Sequence, residues 1–254
     1  MRTTWLLITL LITTPLTAAP LYIERFQSAN PDAEALAKAA DQVREHKDVK
    51  LRENLKVPPF HKEGPPLKEG ETFCQGCHLP LPHTKKLRTR SFLNMHTRYI
   101  GCETCHFRPE DVKFDYRWLD YGSQKQATVE NRFRTGRKID NAQQLDGSRK
   151  IVPFLGAEPV IALPRAPFAE DIAKQWKEGN GDGRTKLKAR LHAPLKKEGP
   201  ACAACHTEQN PLLDLVALGA NGEQAIAIRR HVIPQFFGRY KAEEDRLKII
   251  DILQ

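Results

Sequence analysis

Residues 92–109 read FLNMHTRYIGCETCHFRP. Two features of very different chemistry sit side by side in this stretch. Its second half is a Cys-x-x-Cys-His motif, Cys102, Cys105 and His106. Its first half holds Met95, the only methionine after the initiator, directly before His96. The fold and function depend on what the motif holds, and on whether Met95 or His96 serves the same centre.

The motif is not alone. The chain has six cysteines, Cys74, Cys77, Cys102, Cys105, Cys202 and Cys205, and each belongs to a Cys-x-x-Cys pair followed at once by histidine: CQGCH with His78, CETCH with His106 and CAACH with His206. One such motif could be a redox dithiol or half a zinc site. Three that consume every cysteine point to covalent attachment of three haem c groups. At this spacing two thiols reach the two vinyl groups of one haem, and the histidine that follows lies beneath the iron. Disulfides or zinc would use the same cysteines, but neither needs a histidine after every second one.

The sequence resembles the multihaem c-type cytochromes in these three motifs and in the histidines around them, chiefly over residues 55–110 and 190–206. The resemblance implies electron transfer in the periplasm or at the extracellular surface. The amino terminus agrees with export. MRTTWLLITLLITTPLTAAP has one positive residue, an apolar run too short to span a bilayer, and small residues after it, the layout of a signal peptide over residues 1–19. No later apolar run is long enough to cross a membrane.

A formal charge of +9 raises the question of an anionic partner. The leader removes one positive charge, and the propionates remove more. Three oxidised haems leave about +5 and three reduced ones about +2. A mildly basic surface suits acidic docking faces on redox proteins, such as a membrane quinol oxidase or other multihaem cytochromes, and makes no case for nucleic acid.

Each iron needs a second axial ligand. Nine histidines are present; after the three in the motifs, His46, His61, His83, His96, His192 and His231 remain. Met95 can serve one haem at most, so bis-histidine ligation is the expectation, at lower potential than histidine–methionine ligation. His61 and His192 head similar sequences, HKEGPPLKEGETFCQGCH and HAPLKKEGPACAACH, which suggests equivalent distal roles on loops that bend over a haem. A helix continuous from His96 to His106 would separate them by about 15 Å, whereas two ligands of one iron must bring their nitrogens within roughly 4 Å. His96 is therefore expected to cap a neighbouring haem, the one at Cys74 and Cys77, with His83 in CHLPLPHTKK as its rival. His46 and His231 read as surface or packing residues. The expected metal ligands are His78, His106, His206, His61, His96 and His192.

Mainly helix with extensive loops is expected, around a core rich in porphyrin. An amphipathic helix should follow Asn30-Pro31-Asp32 within residues 30–55. Residues 150–163 should form one small β-hairpin about Gly156, and 169–178 a short helix. The carboxyl-terminal DRLKIIDILQ reads as amphipathic. Residues 20–110 are read as an amino-terminal helix and di-haem unit, 111–190 as an insertion that forms an interface, and 191–254 as a third-haem unit. With no acid–base cluster in view, an electron relay is favoured over an enzyme. The alternatives are a haem enzyme with one open iron, or a structural subunit of a multihaem assembly.

Overall fold

The computed structural model describes residues 19–45, 72–84, 87–127 and 148–239. The expected leader, His46, His61 and the carboxyl-terminal DRLKIIDILQ lie outside these residues, apart from Ala19 at the leader's end.

The centre of the fold is a four-stranded antiparallel sheet of order β2-β1-β3-β4, formed by β1 (Asp115–Asp120), β2 (Lys125–Gln126), β3 (Arg149–Leu155) and β4 (Glu158–Pro159). Strand β1 pairs with β3 along its whole length, with Trp118 opposite Ile151. The two-residue alternation of a strand sends Trp118 and Ile151 to one face, among Ile100, Leu213, Leu215 and Leu218. It sends Leu119, Val152 and Phe154 to the other, among Tyr22, Phe107, Phe114 and Ile161. Both faces are covered, so VPFLGAEPVIAL is nearly continuous in apolar residues rather than alternating. Trp118 also donates from Nε1 to Leu218 O at 2.9 Å.

The hairpin about Gly156 is present, with Gly156 at φ +62°. It is only the outer half of the sheet. Strand β1 was hidden in the sequence because DYRWLD is charged at both ends, and its apolar centre gains its meaning from β3. The described part of 111–190, read from the sequence as an insertion that forms an interface, carries the sheet at the centre of the core.

Helices surround the sheet. Helix α1 (Leu21–Ser28) buries Tyr22, Ile23 and Phe26, the spacing of one helical face. Helix α2 (Ala33–Arg44) starts where Asp32 accepts a hydrogen bond from Ala35 N, the N-cap the sequence suggested. A 3-10 turn, Cys74–Gly76, opens the first motif. Helix α3 (Leu87–His96) ends at His96, a turn follows, and α4 (Cys102–His106) is the second motif itself. The chain from His96 to His106 is therefore not one helix. Ile100 bridges to Ile151, and Gly101 N donates to Ile151 O at 2.8 Å. Helices α5 (Pro167–Glu178) and α6 (Gly181–His192) pack together. The third motif is α7 (Cys202–Cys205), and α8 (Gly222–Arg229) and α9 (Val232–Arg239) follow it. Among the described residues no helix is long and apolar enough to cross a membrane.

Candidate functional site

The middle motif is seated on the sheet. Thr104 Oγ1 donates to Ile151 O at 2.8 Å, and Thr104 and Glu103 are 1 % and 3 % exposed. A Cβ at Gly101 would come within 2.9 Å of Val152 Cγ1, so glycine is what lets α4 approach β3 this closely. From this seat the motif touches the first and shares an apolar cluster with the third. Glu103 Oε1 accepts a hydrogen bond from Cys74 Sγ at 3.3 Å, and Cys105 and Cys205 pack against one apolar cluster.

Each motif histidine faces one other histidine. The ring centroids of His78 and His192 are 6.0 Å apart, those of His83 and His106 6.4 Å, and those of His96 and His206 6.2 Å. The partners interlock. His83 follows the first motif and faces the second. His96 precedes the second and faces the third. His192 precedes the third and faces the first. The three segments form a closed ring in which each motif's histidine meets a ring carried by another motif's neighbourhood.

The facing rings are held by their outer nitrogens. His96 Nδ1 donates to Phe92 O at 2.7 Å and His192 Nδ1 to Lys188 O at 2.8 Å, each using the carbonyl one helical turn back. His206 Nδ1 donates to Ile228 O at 2.7 Å and His106 Nδ1 to Lys196 O at 2.9 Å. A carbonyl only accepts, so these four rings carry their proton on Nδ1 and keep the Nε2 lone pair for a metal. Asn94 holds His83 three ways: its Oδ1 accepts from His83 N at 3.0 Å and from His83 Nδ1 at 3.1 Å, and its Nδ2 donates to His83 O at 3.1 Å. Burial lowers the pKa of His78, His83, His96 and His192 below the usual histidine value. For His192 and His96 the backbone carbonyl opposes that shift without reversing it.

Two expectations change. His96 stands against His206, not His78: the chain breaks at residues 97–101 to dock on β3, and this turns α3 toward the third motif. His83 is no rival for the first motif, since Asn94 pins it opposite His106. His192 faces His78, while His61 lies outside the described residues. Met95 is 45 % exposed and belongs to none of the three pairs. Asn94, one residue before it, escaped the reading of the sequence, because nothing local marks an asparagine as the clamp for a histidine in another segment.

All six cysteines are free of disulfides. Burial, reinforced by neighbouring cysteines, pushes Cys105 up to about 12 and Cys205 up to about 11. Among the described residues no group of three or more His, Cys, Asp or Glu could hold a bare metal ion.

Comparison with known proteins adds one finding. A family model described as cytochrome c554 and c-prime matches residues 25–107, which hold the first two motifs but not the third. No curated protein and no solved structure matches the chain. The match supports a c-type cytochrome, and with it covalently bound haem c and a part in electron transfer.

Proposed function

We propose that the protein is an exported trihaem c-type cytochrome that relays electrons between redox proteins through three bis-histidine haems. Cys74 and Cys77 would hold the first haem between His78 and His192. Cys102 and Cys105 would hold the second between His106 and His83, and Cys202 and Cys205 the third between His206 and His96.

The observation that carries this reading is that each of the three motif histidines faces one other histidine, at a spacing compatible with a shared iron. Two metal–nitrogen bonds of about 2 Å each, plus roughly 1 Å from each nitrogen to its ring centre, put opposed centroids about 6 Å apart. The pairs lie at 6.0, 6.4 and 6.2 Å. Packed rings in general lie at such separations, so the weight rests on the pairing itself: each motif histidine meets one histidine carried by another segment.

A haem supplies one-electron chemistry, and the chain supplies what tunes it. The carbonyls on Nδ1 fix ring orientation and raise ligand basicity. A ring opposite every motif histidine leaves no iron face for a substrate, which favours a relay over an enzyme. The apolar leader supports the periplasm as the location. The basic surface supports acidic redox partners, a membrane quinol oxidase or other multihaem cytochromes among them.

Mass spectrometry and EPR of the holo-protein test the reading together. Three covalently attached haems, all low-spin, are expected. A count below three, or a substantial high-spin fraction that binds added ligand, overturns it.

A further inference from the structure

The middle motif carries an acid where none is needed for haem attachment. Glu103 is 3 % exposed. Its Oε1 accepts from Cys74 Sγ, and its Oε2 is buried with no hydrogen-bond partner among the described residues. The groups that act on it come from every side: Cys74 on the first motif, His106 on its own helix, and Lys150 on β3. Its own charge is felt by Tyr22 on α1 and by Tyr121 after β1. Lys150 Nζ donates to Thr97 O, and Tyr121 Oη is a second buried atom with no hydrogen-bond partner among the described residues. Burial outweighs the opposing pull of Glu103's own amide, Cys74, Lys150 and His106, so the carboxyl's pKa lies above the usual range.

Haem attachment makes the position more acute. Once Cys74 forms a thioether its sulfur has no hydrogen to donate, and Glu103 Oε1 loses that bond. A buried carboxylate stripped of its donor is costly unless a positive charge stands nearby. Lys150 supplies a fixed positive charge on one side, and in the proposed arrangement the iron centres add one that varies, since each carries one more positive charge when oxidised than when reduced.

We propose that Glu103 is a proton site coupled to the redox state of the haems on the first and second motifs, an inference that rests on the haem reading above. As an external one-electron donor protein reduces an adjacent ferric iron to ferrous, Glu103 takes one proton from solvent onto its carboxylate. When the electron leaves to an acceptor protein, the O–H bond breaks and the proton returns to solvent. Net charge in the interior is unchanged in both directions. The protein thereby moves a proton with an electron at a site away from the haem propionates.

Spectroelectrochemical titration of the holo-protein across pH tests this, after mass spectrometry has counted the attached haems. In the wild type at least one midpoint potential falls as pH rises. A tenfold change in Glu103's proton affinity between redox states corresponds to about 59 mV for a one-electron couple. Glu103→Gln matches the wild type on the acid side, stays higher on the alkaline side and loses this slope, while the propionates' share remains. Glu103→Asp retains the slope, with its midpoint displaced. In the infrared, a protonated-carboxyl band appears on reduction of the wild type, shifts in Glu103→Asp and is lost in Glu103→Gln. Equal slopes in wild type and Glu103→Gln, or a reduction spectrum of the wild type without that band, overturn the proposal. A missing covalent haem refutes the functional reading instead, and is seen before any titration begins.

Discussion

His106 and Lys196 are joined twice. Lys196 N donates to His106 O at 2.7 Å, and His106 Nδ1 donates back to Lys196 O at 2.9 Å. Arg108 extends the contact by donating to Glu198 O at 2.9 Å. The loop that follows His192 is thereby tied to the middle motif, so the ring facing His78 is positioned in part by the motif that carries His106. Lys196→Pro removes the amide donor and should cost about 1–3 kcal/mol. It should also disturb the EPR signals of two haems rather than one. Lys196→Ala keeps the backbone and loses only the exposed ion pair to Glu110, so denaturant unfolding and EPR should both stay close to wild type.

The facing pairs make a different set of ligand predictions from those the sequence suggested. His83→Ala, His96→Ala and His192→Ala should each turn one haem high-spin, whereas His61→Ala should leave all of them low-spin. Absorption and EPR spectra of the four variants decide it. High-spin haem in His61→Ala would contradict the pairing.

Asn94→Ala removes all three hydrogen bonds that hold His83 without touching a ligand. The His83 ring should then turn freely, and the low-spin EPR signal of a single haem should broaden or shift. An unchanged spectrum would mean that Asn94 is dispensable for orientation.

Gly101→Ala forces a methyl group to within 2.9 Å of Val152 Cγ1 and 3.2 Å of Ile151 O. Overpacking of this kind costs about 1–3 kcal/mol, here at the point where α4 meets β3. Thermal unfolding should show the loss, together with less complete haem attachment at Cys102 and Cys105.

Arg149 Nε donates to Asp120 Oδ2 at 2.7 Å, and the amides of Gly122 and Ser123 donate to Oδ1 at 2.9 and 3.1 Å. Burial alone would raise the Asp120 pKa, but these partners outweigh it and hold the carboxyl below its usual 3.8. A depressed folded-state pKa gives stability that is present above the unfolded value and lost as pH falls through the folded one. Asp120→Asn should therefore narrow its stability gap from wild type as pH is lowered through that range, read from denaturant midpoints. A gap that is constant with pH would remove the ionic contribution.

Several elements were legible because their causes are local. Asp32 caps α2 by reaching three residues ahead, and Gly156 turns a hairpin because glycine adopts φ +62° without the penalty of a Cβ. Strand β1 and the double-faced sheet were not. DYRWLD has no strand signature until β3 lies beside it, and Trp118 looks like one more aromatic until Leu218 O meets its indole.

The stretch FLNMHTRYIGCETCHFRP shows the same division. CETCH and its two counterparts suggest haem attachment, since thioether spacing and a histidine directly after it are properties of a single turn of chain. The residues before it are silent on their own. Asn94 clamps His83, Met95 faces outward and His96 turns toward His206, all because Gly101 and Ile100 bind β3 and break the helix there. Covalent chemistry between near neighbours can be read along the chain. The facing histidine rings belong to segments apart in sequence, and they meet only once sheet, loops and helices have packed.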